Sequence, residues 1–530
     1  MTPKDKQVVL MILGGWGITP AWSGNILNYL NTPHFHNLWK TFFHASIEPF
    51  PGKYSFCARQ GSETSFANIG TGKINPDEGD QISEAIRSGI FLHHTGIQNI
   101  FKSVKGALHI VSLVDARGKH SRLEHLAGLL IVARGFNVSK IFLHLGLMGG
   151  DDPNDKAYFE LQKIIRMIKP FQGVEIASLF GSNFVLEDDN KVKSIKILFN
   201  LLTRGHGLYF NQNFSEMFDK YYQKGGVDNA FPPSALSIDS KTIGRVSASD
   251  TIIIPTLKID SIRPFVKIFD SPNIVGTLLD KKKLSNLKIY TFFDHGMESQ
   301  STSIFNRKTI SSPLSKVLSD NKLTQLKLAH TDKRFQIGYY FNGGNFEKYG
   351  NESRKVFPIL RLDQNWLLGA DEIYWNFRKT FLKRSHNFYL VSFSNADLLG
   401  HLGDMGIASK AIKKFDNIIG EIANITLERG ADLIITGDHG NAEEILEKLT
   451  GEHKRYHTTN PVPFIFVSSK NLRPPAQNLT LEGDIPPLYD SYTHASIAPT
   501  ILDLFGLAKP LQMLGESLIA NELPIKDGVN

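Results

Sequence analysis

The feature that most restricts the fold is a short unbroken apolar run, Val8–Leu13 (VVLMIL), that ends at Gly14-Gly15-Trp16-Gly17. Continuous rather than alternating hydrophobicity means a strand covered on both faces, the environment of a parallel sheet. The pattern returns near the other end of the chain. Phe388–Phe393 (FYLVSF) runs into Ser394-Asn395-Ala396-Asp397, and Leu433–Thr436 (LIIT) runs into Gly437-Asp438-His439-Gly440. Pro463–Val467 is another apolar run, entered from a polar loop. Between them, Ala408–Leu427 sets Ile412, Phe415, Ile418, Ile419 and Ile422 at helical spacing. Strands alternating with helices predict a doubly wound, mostly parallel sheet whose ligands gather beyond the carboxyl ends of its strands.

At 530 residues the chain exceeds what one hydrophobic core organises, so two domains are expected. The middle has its own rhythm, with strands predicted at Ala107–Val114, Ser139–Leu145, Val174–Phe180, Thr251–Ile254 and Leu287–Phe293. Helices are predicted there at Arg122–Arg134 and Asp155–Ile168. Polar Lys73–Asp80 and the Ser/Thr-rich Ser299–Pro313 read as linkers. The expectation is a domain of residues 79–305 inserted into a discontinuous one made of 1–78 and 306–530.

Composition removes several function classes. With 41% hydrophobic and 21% charged residues the chain is globular rather than disordered. Its net charge of +7 is not gathered into Lys/Arg blocks interleaved with aromatics, so no nucleic-acid partner is expected. The one cysteine, Cys57, excludes an internal disulfide, fits a reducing compartment and reads as a small apolar residue. No stretch reaches the roughly 18–20 apolar residues of a membrane helix, and the run after Lys4 and Lys6 is too short for a signal segment. A cytoplasmic, monomeric protein without a membrane partner is expected.

Three elements after or before strands carry ligand chemistry. Asp397 and His401 stand at i and i+4, Asp438 and His439 are adjacent, and His457-Thr458-Thr459-Asn460 adds an imidazole. Any one alone is more often a cap, a turn or a surface pair. Together they aim five oxygen and nitrogen ligands at one end of one sheet. That set suits Mn²⁺ or Zn²⁺, and no thiolate cluster competes. A fourth element, Gly61-Ser62-Glu63-Thr64-Ser65, reads as a helix start with Ser62 either as cap or as nucleophile. A serine hydroxyl needs a base or a metal to attack at neutral pH, and a helix N-terminus would help to hold a phosphoryl group.

In this order, Met11–Gly17, the Ser62 segment, Asn395–His401, Thr436–Asn441 and His457–Pro463 resemble the core of cofactor-independent phosphoglycerate mutases, members of the alkaline phosphatase superfamily. The resemblance continues through His120-Ser121, Gly149–Pro153, Lys333, Phe341-Asn342-Gly343-Gly344 and Gly515-Glu516-Ser517-Leu518. It implies an alkaline-phosphatase-like α/β fold with a second α/β domain inserted. It implies that Asp397, His401 and His457 hold one Mn²⁺ and that Asp438, His439 and the Ser62 oxygen hold a second, Zn²⁺ or Mg²⁺ being alternatives. Ser62 would become a phosphoserine as 3- and 2-phosphoglycerate interconvert. His120, Asp151, Lys258 and Lys333 match substrate-binding positions.

The departures fall on functional positions. Where the family has an aspartate ligand after the first strand, this chain has Gly14. Where the family has substrate arginines it has Gly150, Ser182, Asp188, Lys258 and Ser261. Arg117, Arg122 and Arg263 lie nearby, either as compensating cations or as solvated surface charges. Three readings follow: a mutase that tolerates the losses, a metal-dependent phosphohydrolase with another substrate, and a catalytically weakened paralogue kept for binding.

Overall fold

Val8–Leu13 forms a strand buried along its whole length, and it lies inside a seven-stranded sheet. The computed structural model describes residues 5–20, 22–49, 61–148, 156–186, 192–211, 213–270, 284, 286–307, 309–448, 450–454, 457–469 and 492–519. Across this sheet the order is Glu352–Phe357, Gln325–His330, Phe388–Phe393, Val8–Leu13, Asp432–Gly437, Val462–Val467, Phe43–Ile47. The first five strands run parallel. Continuous hydrophobicity is explained by two separate cores. Val9, Met11 and Leu13 enter one, with Phe415 and Ile419 of the Met405–Glu428 helix. Val8, Leu10 and Ile12 enter the other, with Phe66 and Ile69 of the Ser62–Thr71 helix. Each fully buried side chain of this kind contributes about 1.5–3 kcal/mol, so neither face of the strand can turn to water.

Val462–Val467 reverses direction and pairs antiparallel with Asp432–Gly437. Its beginning therefore lies at the same end of the sheet as the other strands' carboxyl ends, which brings the preceding His457 loop there. The Met405–Glu428 helix starts three residues before the predicted Ala408, because the Asp404 side chain caps it by accepting from Ile407 N at 2.9 Å.

The chain divides into two units, residues 1–76 with 308–530 and residues 77–307. The second unit has its own sheet. Thr302–Phe305, Lys288–Phe293, Thr251–Ile254, Leu108–Val114, Ile141–Leu147 and Val174–Gly181 are parallel neighbours, followed by Ser234–Ile238, antiparallel to Val174–Gly181, and Leu208–Phe210. Two predicted linkers hold regular structure. Thr302–Phe305 is an edge strand, and the Glu78–Arg87 helix begins inside Lys73–Asp80, capped by Asp77. Cys57, Gly150, Asp151 and Asp188 lie outside the described residues. Among the described residues no helix is long and apolar enough to cross a membrane.

Candidate metal centre

Gly14 and Gly15 tie the strand ends together. Gly14 N donates to Phe393 O at 2.7 Å, and Asp397 N donates back to Gly14 O at 2.9 Å. Gly15 has φ +76°, and a β carbon there would lie 2.5 Å from the Asp397 backbone. Only glycine accepts both conditions. Gly15 N in turn donates to Asp438 Oδ1 at 3.1 Å.

Asp397 and His401 belong to the Asn395–Leu402 helix, where i and i+4 share a face. His401 Nε2 and His457 Nε2 each lie 3.3 Å from Asp397 Oδ1 and 3.2 Å from each other. The point equidistant from these three atoms is about 1.9 Å from each, just inside the ~2.0–2.2 Å of metal–ligand bonds. An ion seated slightly off their plane meets all three, so this set fits a divalent metal. It is the one such cluster among the described residues. Burial works against the Asp397 charge, but His457, His401 and His439 around it hold its carboxyl well below the usual carboxylate range. Asn441 Nδ2 donates to Asp397 Oδ1 at 2.8 Å and fixes its orientation.

Ser62 is the first residue of its helix, and the cap position is Gly61. Its hydroxyl is thus not a cap. It faces His439 Nε2 at 3.1 Å and Lys333 Nζ at 2.5 Å. Lys333 comes from the Thr331–Lys333 turn that follows the Gln325–His330 strand, and its ammonium also donates to Asp438 Oδ2 at 3.2 Å. Burial opposes that charge, but the carboxylates of Asp438, Asp397, Asp332 and Glu63 outweigh it and hold Lys333 above its ordinary value. Asp438 caps no helix. Its Oδ1 accepts from Gly15 N and from His439 N at 2.8 Å. Ser62, Asp438 and His439 therefore surround an ammonium, and as they stand they do not fit a second metal ion.

Glu443 was not singled out from the sequence. Its carboxylate is fully buried and accepts from Gly17 N at 3.1 Å, Asn441 N at 2.8 Å, Asn460 Nδ2 at 2.9 Å and the Thr458 hydroxyl. It thereby joins the loops that carry His439 and His457. The signal was an extra carboxylate five residues after Asp438, within reach of the same strand end.

In the inserted unit Ser261, one of the positions where the family has an arginine, links the substrate candidates His120 and Lys258. His120 Nδ1 lies 3.3 Å from Ser261 Oγ, and Ser261 Oγ donates to Lys258 O at 2.9 Å. Arg122 is neither solvated nor available to a ligand. It is buried and bonded to Asp77 at 2.6 Å and Asp80 at 2.7 Å. Arg263 donates to the His295 carbonyl at 2.7 Å.

The chain is similar to named proteins along almost its whole length. The 2,3-bisphosphoglycerate-independent phosphoglycerate mutase of Clostridium botulinum (strain ATCC 19397 / Type A) is 28% identical over 97% of this chain and 100% of its own. The corresponding mutase 1 of Methanosarcina acetivorans is 27% identical over 98% of this chain and 100% of its own. Among solved structures, Leishmania mexicana phosphoglycerate mutase at low cobalt concentration shares the fold, with a TM-score of 0.82 at 16% identity, over 96% of this chain and 97% of that one. The family model described as the metalloenzyme superfamily matches residues 6–509, a span that includes Ser62, Lys333, Asp397, His401, Asp438, His439 and His457, and the chain belongs to that superfamily.

Proposed function

We propose that the protein is a metal-dependent phosphoglycerate mutase that moves a phosphoryl group between the 3- and 2-hydroxyls of glycerate through Ser62. One observation carries the reading. The Ser62 hydroxyl lies at a helix N-terminus, between a base and a cation, beside a complete three-ligand metal set. The likeness to named mutases along almost the whole chain supports it.

Asp397, His401 and His457 would hold Mn²⁺, with Zn²⁺ or Mg²⁺ as chemically acceptable substitutes. When bound there, such an ion supplies Lewis-acid polarisation of a phosphoryl oxygen. The remaining chemistry belongs to the chain. With its proton on Nδ1, toward the Gly440 carbonyl 3.4 Å away, His439 presents the Nε2 lone pair to Ser62. As the Ser62 oxygen forms its bond to phosphorus, its proton passes to His439, and the leaving glycerate oxygen takes a proton in return. Lys333 balances the growing charge on Ser62. The helix N–H groups behind Ser62 receive the phosphoryl oxygens. Reversal onto the neighbouring hydroxyl completes the isomerisation.

The test is turnover of 3-phosphoglycerate by Mn²⁺-loaded protein, beside a generic phosphomonoester, with mass spectrometry for phosphate on Ser62. Isomerisation without release of inorganic phosphate is expected, and Ser62→Ala should abolish it. Phosphate release from the generic ester alone would make the protein a phosphohydrolase. Gly14 and the lost arginines favour a second reading, a weakened paralogue kept for binding, which no turnover of either substrate would select.

A further inference from the structure

We propose that this centre works with a single divalent ion, held by Asp397, His401 and His457, and that the Lys333 ammonium is the second cation on Ser62. The inference rests on the phosphoryl-transfer reading and specifies its metal content.

Three observations lead to it. The first is charge. The Lys333 ammonium on Ser62 also lies 3.2 Å from the Asp438 carboxylate and balances its charge. A dication entering there would have to displace that ammonium or stand against it. At such distances like-charge repulsion in a buried site is severe, and Lys333 is buried.

The second is space. A β carbon on Gly14 would lie 2.9 Å from Phe393 O and 3.5 Å from Lys333 Cε. Gly14 N is also bonded to that same carbonyl at 2.7 Å. The backbone of the neighbouring strand end thus closes on position 14, and the lysine stem packs against the face from which a side chain would emerge.

The third is ligand count. Without a side chain at position 14, a second ion would have Asp438, His439 and a neutral serine. Asp438 Oδ1 is already committed to the backbone donors of Gly15 and His439. The Asp397 cluster is different, since its three ligand atoms converge on one point.

The functional consequence is a weaker electrophile next to the nucleophile. A monocation at 2.5 Å stabilises a serine oxyanion less than a dication bonded to it. The arrangement fits slow phosphoryl transfer with an absolute requirement for Lys333.

The experiment is metal counting with electron paramagnetic resonance on the full chain titrated with Mn²⁺. Wild type should bind one ion per chain and show the hyperfine pattern of an isolated Mn²⁺. Lys333→Met, which keeps the stem volume and removes the charge, should admit a second ion, raising the count from one to two and producing an exchange-coupled spectrum. Circular dichroism confirms that the variant is folded, and Lys333→Gln is the alternative if it is not. Two ions in wild type, with a coupled spectrum, would overturn the proposal and leave the phosphoryl-transfer reading intact. One ion in every variant at saturating Mn²⁺ would overturn the role of Lys333. No bound ion in wild type would overturn the metal centre itself, and the phosphoryl-transfer reading with it.

Discussion

At the scale of single residues, the centre depends on groups that touch no ligand. Glu443 gathers four donors from three loops, and supports of this kind typically affect metal affinity 10–100-fold. Glu443→Ala should therefore lower Mn²⁺ affinity by about 10–100-fold while the fold persists, as calorimetry and circular dichroism would read. By contrast, His401→Ala combined with His457→Ala removes two of three ligands, and elemental analysis after metal loading should find no ion. Unchanged stoichiometry in that double variant would falsify the assignment of this cluster. Asp397, Asp438 and His439 stood out in the sequence because each lies just past a strand's end, and His401 because it stands four residues after Asp397. His457 was legible as an imidazole, but its arrival at the centre depends on the reversed Val462–Val467 strand, which pattern alone does not orient. Lys333 was legible as a match to a substrate-binding position, but its contact with Ser62 was not, since it joins positions 271 residues apart.

Among elements, the Gln325–His330 and Glu352–Phe357 strands escaped the sequence reading for a physical reason. Their buried positions carry Gln325, Lys327 and Glu352, which break the apolar run that marks an interior strand. The structure reconciles them through an ion pair. Lys327 Nζ lies 2.9 Å from Glu352 Oε1 and 2.7 Å from Asn342 Oδ1, with both charged side chains fully enclosed. Burial pushes the Glu352 carboxyl up, but Lys327 and Arg354 more than offset that and hold it at about 2. A carboxyl lowered on folding contributes stability that is fully present above its ordinary value and is lost as pH falls toward about 2. Acid titration of the denaturant midpoint should show this loss in wild type, and Glu352→Gln should show less of it. Burial holds Lys327 down at about 7 even with Glu352 beside it, so at neutral pH Glu352→Gln removes the group that favours its charge and should destabilise the fold. Adding Lys327→Met should recover part of that cost in a double-mutant cycle. Independence of the two substitutions would show that the pair is not coupled.

For the whole molecule, the insertion is the organising fact. Residues 77–307 have a separate core, and the two ends of that segment meet. Arg307 pairs with Glu78, and Arg122 grips Asp77 and Asp80. A segment with closed ends and its own core should fold alone. Expressed by itself, it should melt in one cooperative transition by circular dichroism, and a broad non-cooperative loss of signal would show that its core needs the rest of the chain. The other unit has no such autonomy. Val8–Leu13 must find Phe388–Phe393 and Asp432–Gly437 on either side, so the first strand leaves the ribosome about 380 residues before its nearest partner exists. At roughly 5–20 residues per second, a fully apolar segment waits some 20–75 s with both hydrogen-bonding edges open. Such a strand is a ready substrate for a holding chaperone, and the inserted unit, complete long before, becomes the first globule that the emerging polypeptide can form.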